Sequence, residues 1–221
     1  MTEFDEKEIK RYLYDRSSRS SIKGVPRLKD DPGDKANEEI YVAELICKYL
    51  EIEHFKLWSE PLGSGKMPDV KVLTDRNEAI GIEVTELIDD STAAERRKVL
   101  KYQKENEIEP ADDYKSYILD TTSTPNYNRL LDYRIWTKEN LQTKLEKIVT
   151  VKNEKLKNNK IPDDFNKMIL AIFTGELIDI DMAESLSLDR AEFGGHFDEV
   201  ILILDYDPAR QKEPVIKIQY Q

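Results

Sequence analysis

Two segments carrying unbroken apolar stretches, MILAIFTG at 168–175 and EVILILDY at 199–206, do most to limit what this chain can become. The chain is 36% charged and only 39% hydrophobic, so runs this apolar must be shielded on both faces. They read as buried central strands of a sheet covered on each side. Ahead of the first run, the stretch 138–158 puts Leu141, Leu145 and Ile148 on one helical face, and Lys152 is the next position on that stripe, flanked by Val149 and Leu156. A long helix feeding a buried strand predicts a parallel crossover.

The upstream half supplies the rest of the layers. A helix is expected over 35–51, with Asp34 as its N-cap and Ala43, Ile46, Cys47 and Leu50 as its apolar stripe. Glu39 lies four residues before Ala43, on the same face, and so points toward the body of the protein. Strands are expected over 54–60, 69–74 and 79–87, the last two forming a hairpin through the turn DRNE. VIKIQY, from Val215, alternates and reads as an edge strand. The order predicts a three-layer α/β sandwich with a central mixed sheet, one domain over 35–221. Residues 1–34 read as a short helix (2–14) and a Ser/Gly/Pro-rich arm, and the long polar region from Asp89 to about Lys138 reads as a functional excursion or cover.

Charge narrows the function classes. Thirty-four Lys and Arg oppose 45 Asp and Glu, for a formal charge of −11, which argues against a protein living by nonspecific attraction to nucleic acid or anionic membrane. An enzyme that meets nucleic acid locally, through metal ions, is compatible with it. Arg16, Arg19, Lys23, Arg27 and Lys29 stand together with no acid among them and are expected to contact phosphates. One cysteine, Cys47, and two histidines, His54 and His196, leave no internal disulfide and no zinc or haem cluster. With no apolar leader and no membrane-length stretch, a cytoplasmic protein without a membrane partner is expected.

Chemistry concentrates on few residues. In IGIEVTE, strand alternation turns Ile80, Ile82 and Val84 to one side and Gly81, Glu83 and Thr85 to the other. A mid-strand carboxylate among apolar neighbours needs a cation or an ion-pair partner to offset its desolvation. Asp69, opening the adjacent strand, and Glu39, from the helix, could join Glu83 in an all-oxygen site of the kind Mg²⁺ or Mn²⁺ accepts. Pro162-Asp163 and Glu176 repeat the spacing, but at a loop and a strand end, and are set aside. GSGK at 63–66 leads into a strand, unlike a phosphate-binding P-loop.

Glu39 in EEIYVAEL, Pro68-Asp69 in MPDV and Glu83 in IGIEVTEL together resemble the PD-(D/E)XK nuclease superfamily, whose fold is restriction-endonuclease-like. The resemblance spans roughly 35–206 in element order, but its motif content is confined to those positions. It implies a metal-dependent nuclease hydrolysing phosphodiester bonds of nucleic acid, DNA foremost, in bacterial restriction, repair or defence, with a homodimer among its expected assemblies. Asp69 and Glu83 would be catalytic and metal-binding, and Glu39 a further metal ligand. Thr85 stands where the motif has lysine and cannot supply its charge. Some members of the superfamily carry that lysine on another element; here Lys152 is the foremost candidate and Lys155 a weaker one, whereas Glu86 points away from Glu83. The competing expectation is a non-catalytic acidic binding protein, an immunity protein or antitoxin that neutralises a basic toxin, favoured by the net charge and the missing motif lysine.

Overall fold

The computed structural model describes residues 32–53, 55–59, 68–88, 136–158, 165–176, 178–193, 195–205, 207 and 210–221. The expected N-terminal helix and basic arm, the expected loop over 61–67 and the polar region 89–135 lie outside these residues.

Helix α1 (Pro32–Tyr49) begins earlier than expected: Asp34 lies inside it, and Pro32 takes the first position, where a missing N–H costs nothing. Val42, Ala43, Ile46 and Cys47 are buried along one stripe. The helix ends in a turn where Ile52 N–H donates to Cys47 O and Glu51 N–H to Lys48 O. Glu51 there holds the left-handed conformation (φ 57°) usually given to glycine. Strands β1 (Phe55–Ser59), β2 (Val70–Thr74) and β3 (Ala79–Glu86) follow as an antiparallel meander. The β2–β3 turn is the expected hairpin, with Asn77 at φ 60° and its N–H donating to Thr74 O.

Helix α2 (Lys138–Asn158) then carries the chain back to β4 (Lys167–Thr174), which pairs in parallel with β3. Short elements α3 (Ile180–Glu184), β5 (Ser187–Leu188) and α4 (Arg190–Phe193) lead to β6 (Glu199–Leu204) and β7 (Val215–Tyr220). The seven strands form one mixed sheet in the order β1-β2-β3-β4-β6-β7-β5. The expectation of β7 as an edge strand is corrected, because β5 pairs onto it in parallel through Ser187↔Gln219 and Leu188↔Tyr220.

Alternation along the strands divides the core between the two faces. Ile80, Ile82 and Val84 of β3, with Ile169, Ala171 and Phe173 of β4, pack under α1. Met168, Leu170 and Ile172 pack on the other face with Leu141, Leu145, Val149 and Leu156 of α2. A sheet with one long helix on each face is the α/β arrangement that two fully apolar strands require. Gly81, Glu83 and Thr85, the alternate positions of β3, therefore face α2.

Candidate active site

Glu83 sits mid-strand on the α2 side and is 1% exposed. Lys152 reaches it from the inward stripe of α2: its Nζ donates to Glu83 Oε1 at 2.6 Å. The continuation of the Leu141–Leu145–Val149 stripe explains why, since a lysine three residues beyond Val149 stays on the face that meets the sheet. Glu83 Oε2 is buried with no hydrogen-bond partner among the described residues.

Asp69 stands beside this pair. The β2–β3 register runs from Leu73↔Ala79 to Val70↔Ile82, so the next step brings Asp69 level with Glu83. Its Oδ2 accepts the N–H of Val84 at 2.9 Å, replacing the backbone acceptor that β2 no longer supplies. Gly81 makes room for this approach: a Cβ there would lie 2.9 Å from Pro68 Cγ and would collide with Met168 Sδ. The glycine two residues before Glu83 thus lets the Pro68-Asp69 corner pack against β3.

Burial pushes the Glu83 carboxyl above the usual carboxylate range, and the neighbouring Asp69 charge pushes it further; Lys152, through its charge and hydrogen bond, and then Lys155 work against this without reversing it. Carboxylates whose surroundings only partly compensate their charge are concentrated at functional sites, which makes Glu83 a candidate on physical grounds.

The structure does not bring Glu39 to these residues. Glu39 is buried, 4% exposed, but it precedes Val42 and Ala43 on the stripe of α1 that packs against Ile80, Ile82 and Val84. The pleat turns Glu83 to the opposite face. Among the described residues, no group of three or more His, Cys, Asp or Glu side chains gathers around one cation position. Thr85, at the position of the absent motif lysine, is half-buried on β3. Glu176, set aside on sequence as a strand-end residue, proves buried, its N–H donating to Thr174 Oγ1 at 3.0 Å, while Asp163 lies outside the described residues, as do Arg16, Arg19, Lys23, Arg27 and Lys29. Cys47 is a core thiol, raised to about 11 by burial and by the nearby Glu44.

Comparison with protein-family models, with curated proteins and with solved structures gives no match. A buried carboxylate, Glu83, with a half-buried carboxylate and a half-buried lysine, Asp69 and Lys152, on adjoining elements is what the site offers to chemistry.

Proposed function

We propose that the chain is a metal-dependent nuclease with a restriction-endonuclease-like fold, in which Lys152 of α2 replaces the lysine missing from the strand motif. The observation that carries this is the 2.6 Å contact between Lys152 Nζ and Glu83 Oε1, with Asp69 level on the adjacent strand. The element order α1-β1-β2-β3-α2-β4 and the parallel β3–β4 pairing are compatible with that fold.

A divalent cation fits the donors present. Both are carboxylates, the hard oxygen donors that Mg²⁺ and Mn²⁺ prefer, and Mg²⁺ commonly takes only one or two protein carboxylates, completing its shell with water and substrate phosphate. The buried Glu83 Oε2 without a partner among the described residues is the atom most in need of such a charge. Asp69 and Glu83 would hold the cation; when bound, it would polarise the phosphoryl oxygen and acidify a bound water.

The protein's own groups do the positioning. The backbone N–H of Val84 fixes Asp69, and Lys152 fixes Glu83, so the two carboxylates are oriented before any ligand arrives. The Lys152 ammonium keeps two further N–H donors, enough to orient a water for attack on phosphorus or to meet charge developing on a phosphoryl oxygen. In the hydrolysis, the water oxygen forms a bond to phosphorus, the bond from phosphorus to one ester oxygen breaks, and the water's proton ends on that departing oxygen. Thr85 contributes no charge to this.

The test is incubation of purified protein with duplex DNA, single-stranded DNA and RNA in Mg²⁺ or Mn²⁺. Cleavage that disappears with EDTA and falls about 100-fold in Lys152→Ala and about 1,000-fold in Glu83→Gln, both folded, is the expected result. A wild-type protein inert on all three polymers overturns the proposal and leaves an acidic binding protein as the better account.

A further inference from the structure

The chain is strongly acidic, yet two lysines stand toward one end of the site. The parallel crossover makes α2 run antiparallel to β3 and β4. Asn153 confirms this direction. Its Nδ2 donates to Phe193 O at 3.0 Å and its Oδ1 accepts the N–H of His196, while Asp198, just beyond, accepts the N–H of Met168 at 2.7 Å. The C-terminal turns of α2 therefore lie over the start of β4. Lys155, one turn after Lys152 and about 4.5 Å further along the axis, extends from the Glu83 site in that direction. Lys155 is exposed and makes no ion pair among the described residues.

On the sheet, Lys71 follows the same direction. It pairs with Gly81, two residues from Glu83, and stands two residues, about 6.6 Å, beyond Asp69 on the same face of β2. Its Nζ lies over the ring of Phe165 at 5.2 Å from the centroid, immediately before β4. The ring is held from below by the core under α2, and Asn166 next to it bonds both ways with Ala79. One lysine from the helix and one from the sheet thus flank the same end of the site, the second steadied by an aromatic face.

We propose that Lys71 and Lys155 form a phosphate-binding patch that holds a nucleic-acid backbone on the β4-start side of the Glu83–Lys152 site. The proposal rests on the nuclease function above for the identity of the polymer. The lysines then differ in role. Lys152, committed to Glu83, serves the reacting phosphate, and Lys155 and Lys71 hold the neighbouring ones. Lys147, exposed in the preceding half of α2, lies on the wrong side of Lys152 to take part.

The test is binding of labelled duplex and single-stranded oligonucleotides in EDTA, where no substrate is consumed, over a range of salt. Each phosphate contact removed should lower the slope of log K against log salt by about 0.9 on duplex or 0.7 on a single strand, so the magnitude also says which is bound. Lys155→Ala and Lys71→Ala should each show that drop with about threefold or greater loss of affinity, their combination about twice the drop, and Lys147→Ala none. The basic segment from Arg16 to Lys29 contributes equally to every variant and cancels. Unchanged slopes in the folded double variant, or no binding by wild type, overturn the patch. If slopes change but Mg²⁺ produces no cleavage, the patch stands and the nuclease fails; if wild type cleaves while slopes are unchanged, the reverse holds.

Discussion

Two glutamates in this sheet each face lysine, and their surroundings drive them in opposite directions. Glu199, at the start of β6, meets Lys217 at 2.5 Å and Lys167 at 3.0 Å, and is 12% exposed. Burial would raise its carboxyl, but the hydrogen bonds and charges of the two lysines outweigh burial and hold it below the usual range. Glu83 is more deeply buried, has one lysine in contact and has Asp69 as an additional negative neighbour, so its carboxyl goes up. The first is an ion cluster that stabilises the junction of β4, β6 and β7. The second is a deficit of positive charge kept inside the fold, which a cation would remedy.

The largest expected effect separates them by activity. Glu83→Gln should reduce metal-dependent cleavage by about 1,000-fold or more, since it removes an anionic donor from the reacting centre. Glu199→Gln should leave cleavage within about twofold of wild type.

Lys152→Ala comes next, with about a 100-fold loss in kcat. It also strips a buried carboxylate of its contact, costing about 2 kcal/mol of stability. That loss should be larger at pH 8 than at pH 5, because without Lys152 the Glu83 carboxyl rises further and relieves the cost by taking up a proton in the acid range. Denaturant melts in EDTA at the two pH values measure this.

Gly81→Ala tests the packing that sets Asp69 against Glu83. Met168 can swing aside, but Pro68 is part of the corner carrying Asp69, so the added methyl should cost about 1–2 kcal/mol and lower cleavage together with it. Full activity in a folded Gly81→Ala protein would show that the corner has slack.

The smallest effect gives the sharpest contrast. For Glu199, whose folded carboxyl is depressed, the stabilisation is present above the ordinary carboxylate value of 4.5 and is lost as pH falls through the folded value. For Glu83, whose folded carboxyl is raised, stability is greatest below 4.5 and declines as pH rises through the folded value. Glu199→Gln should therefore cost about 1 kcal/mol or less at neutral pH, reduced by solvent around its half-exposed lysines, and little in acid. Glu83→Gln should remove a decline with rising pH. Parallel pH dependences in the two variants would erase the distinction.

Much of the site was legible in the sequence because period and burial coincide there. Glu83 stands between Ile82 and Val84 in a strict alternation, and Lys152 continues the stripe of Leu141 and Leu145, so a side chain from each was expected to face the same interior. What escaped was information held between elements. Glu39 shares a stripe with Ala43, which shows that it points inward but not which face of the sheet its helix will cover. Elements of two to five residues, α3, β5 and α4, carry no readable period, so the strand that removes β7 from the edge could not be anticipated. Phe165 under Lys71 follows from pairing segments 94 residues apart, which no local pattern encodes.

The most direct measurement is cleavage of nucleic acid by wild type and Lys152→Ala in Mg²⁺ and Mn²⁺, with both proteins shown folded by their melts. Wild type should cut at least one of duplex DNA, single-stranded DNA and RNA, and lose the activity with EDTA, while Lys152→Ala should be about 100-fold slower. Wild-type cleavage that Lys152→Ala retains in full, or no cleavage by wild type at all, would contradict a catalytic centre built on Glu83 and Lys152.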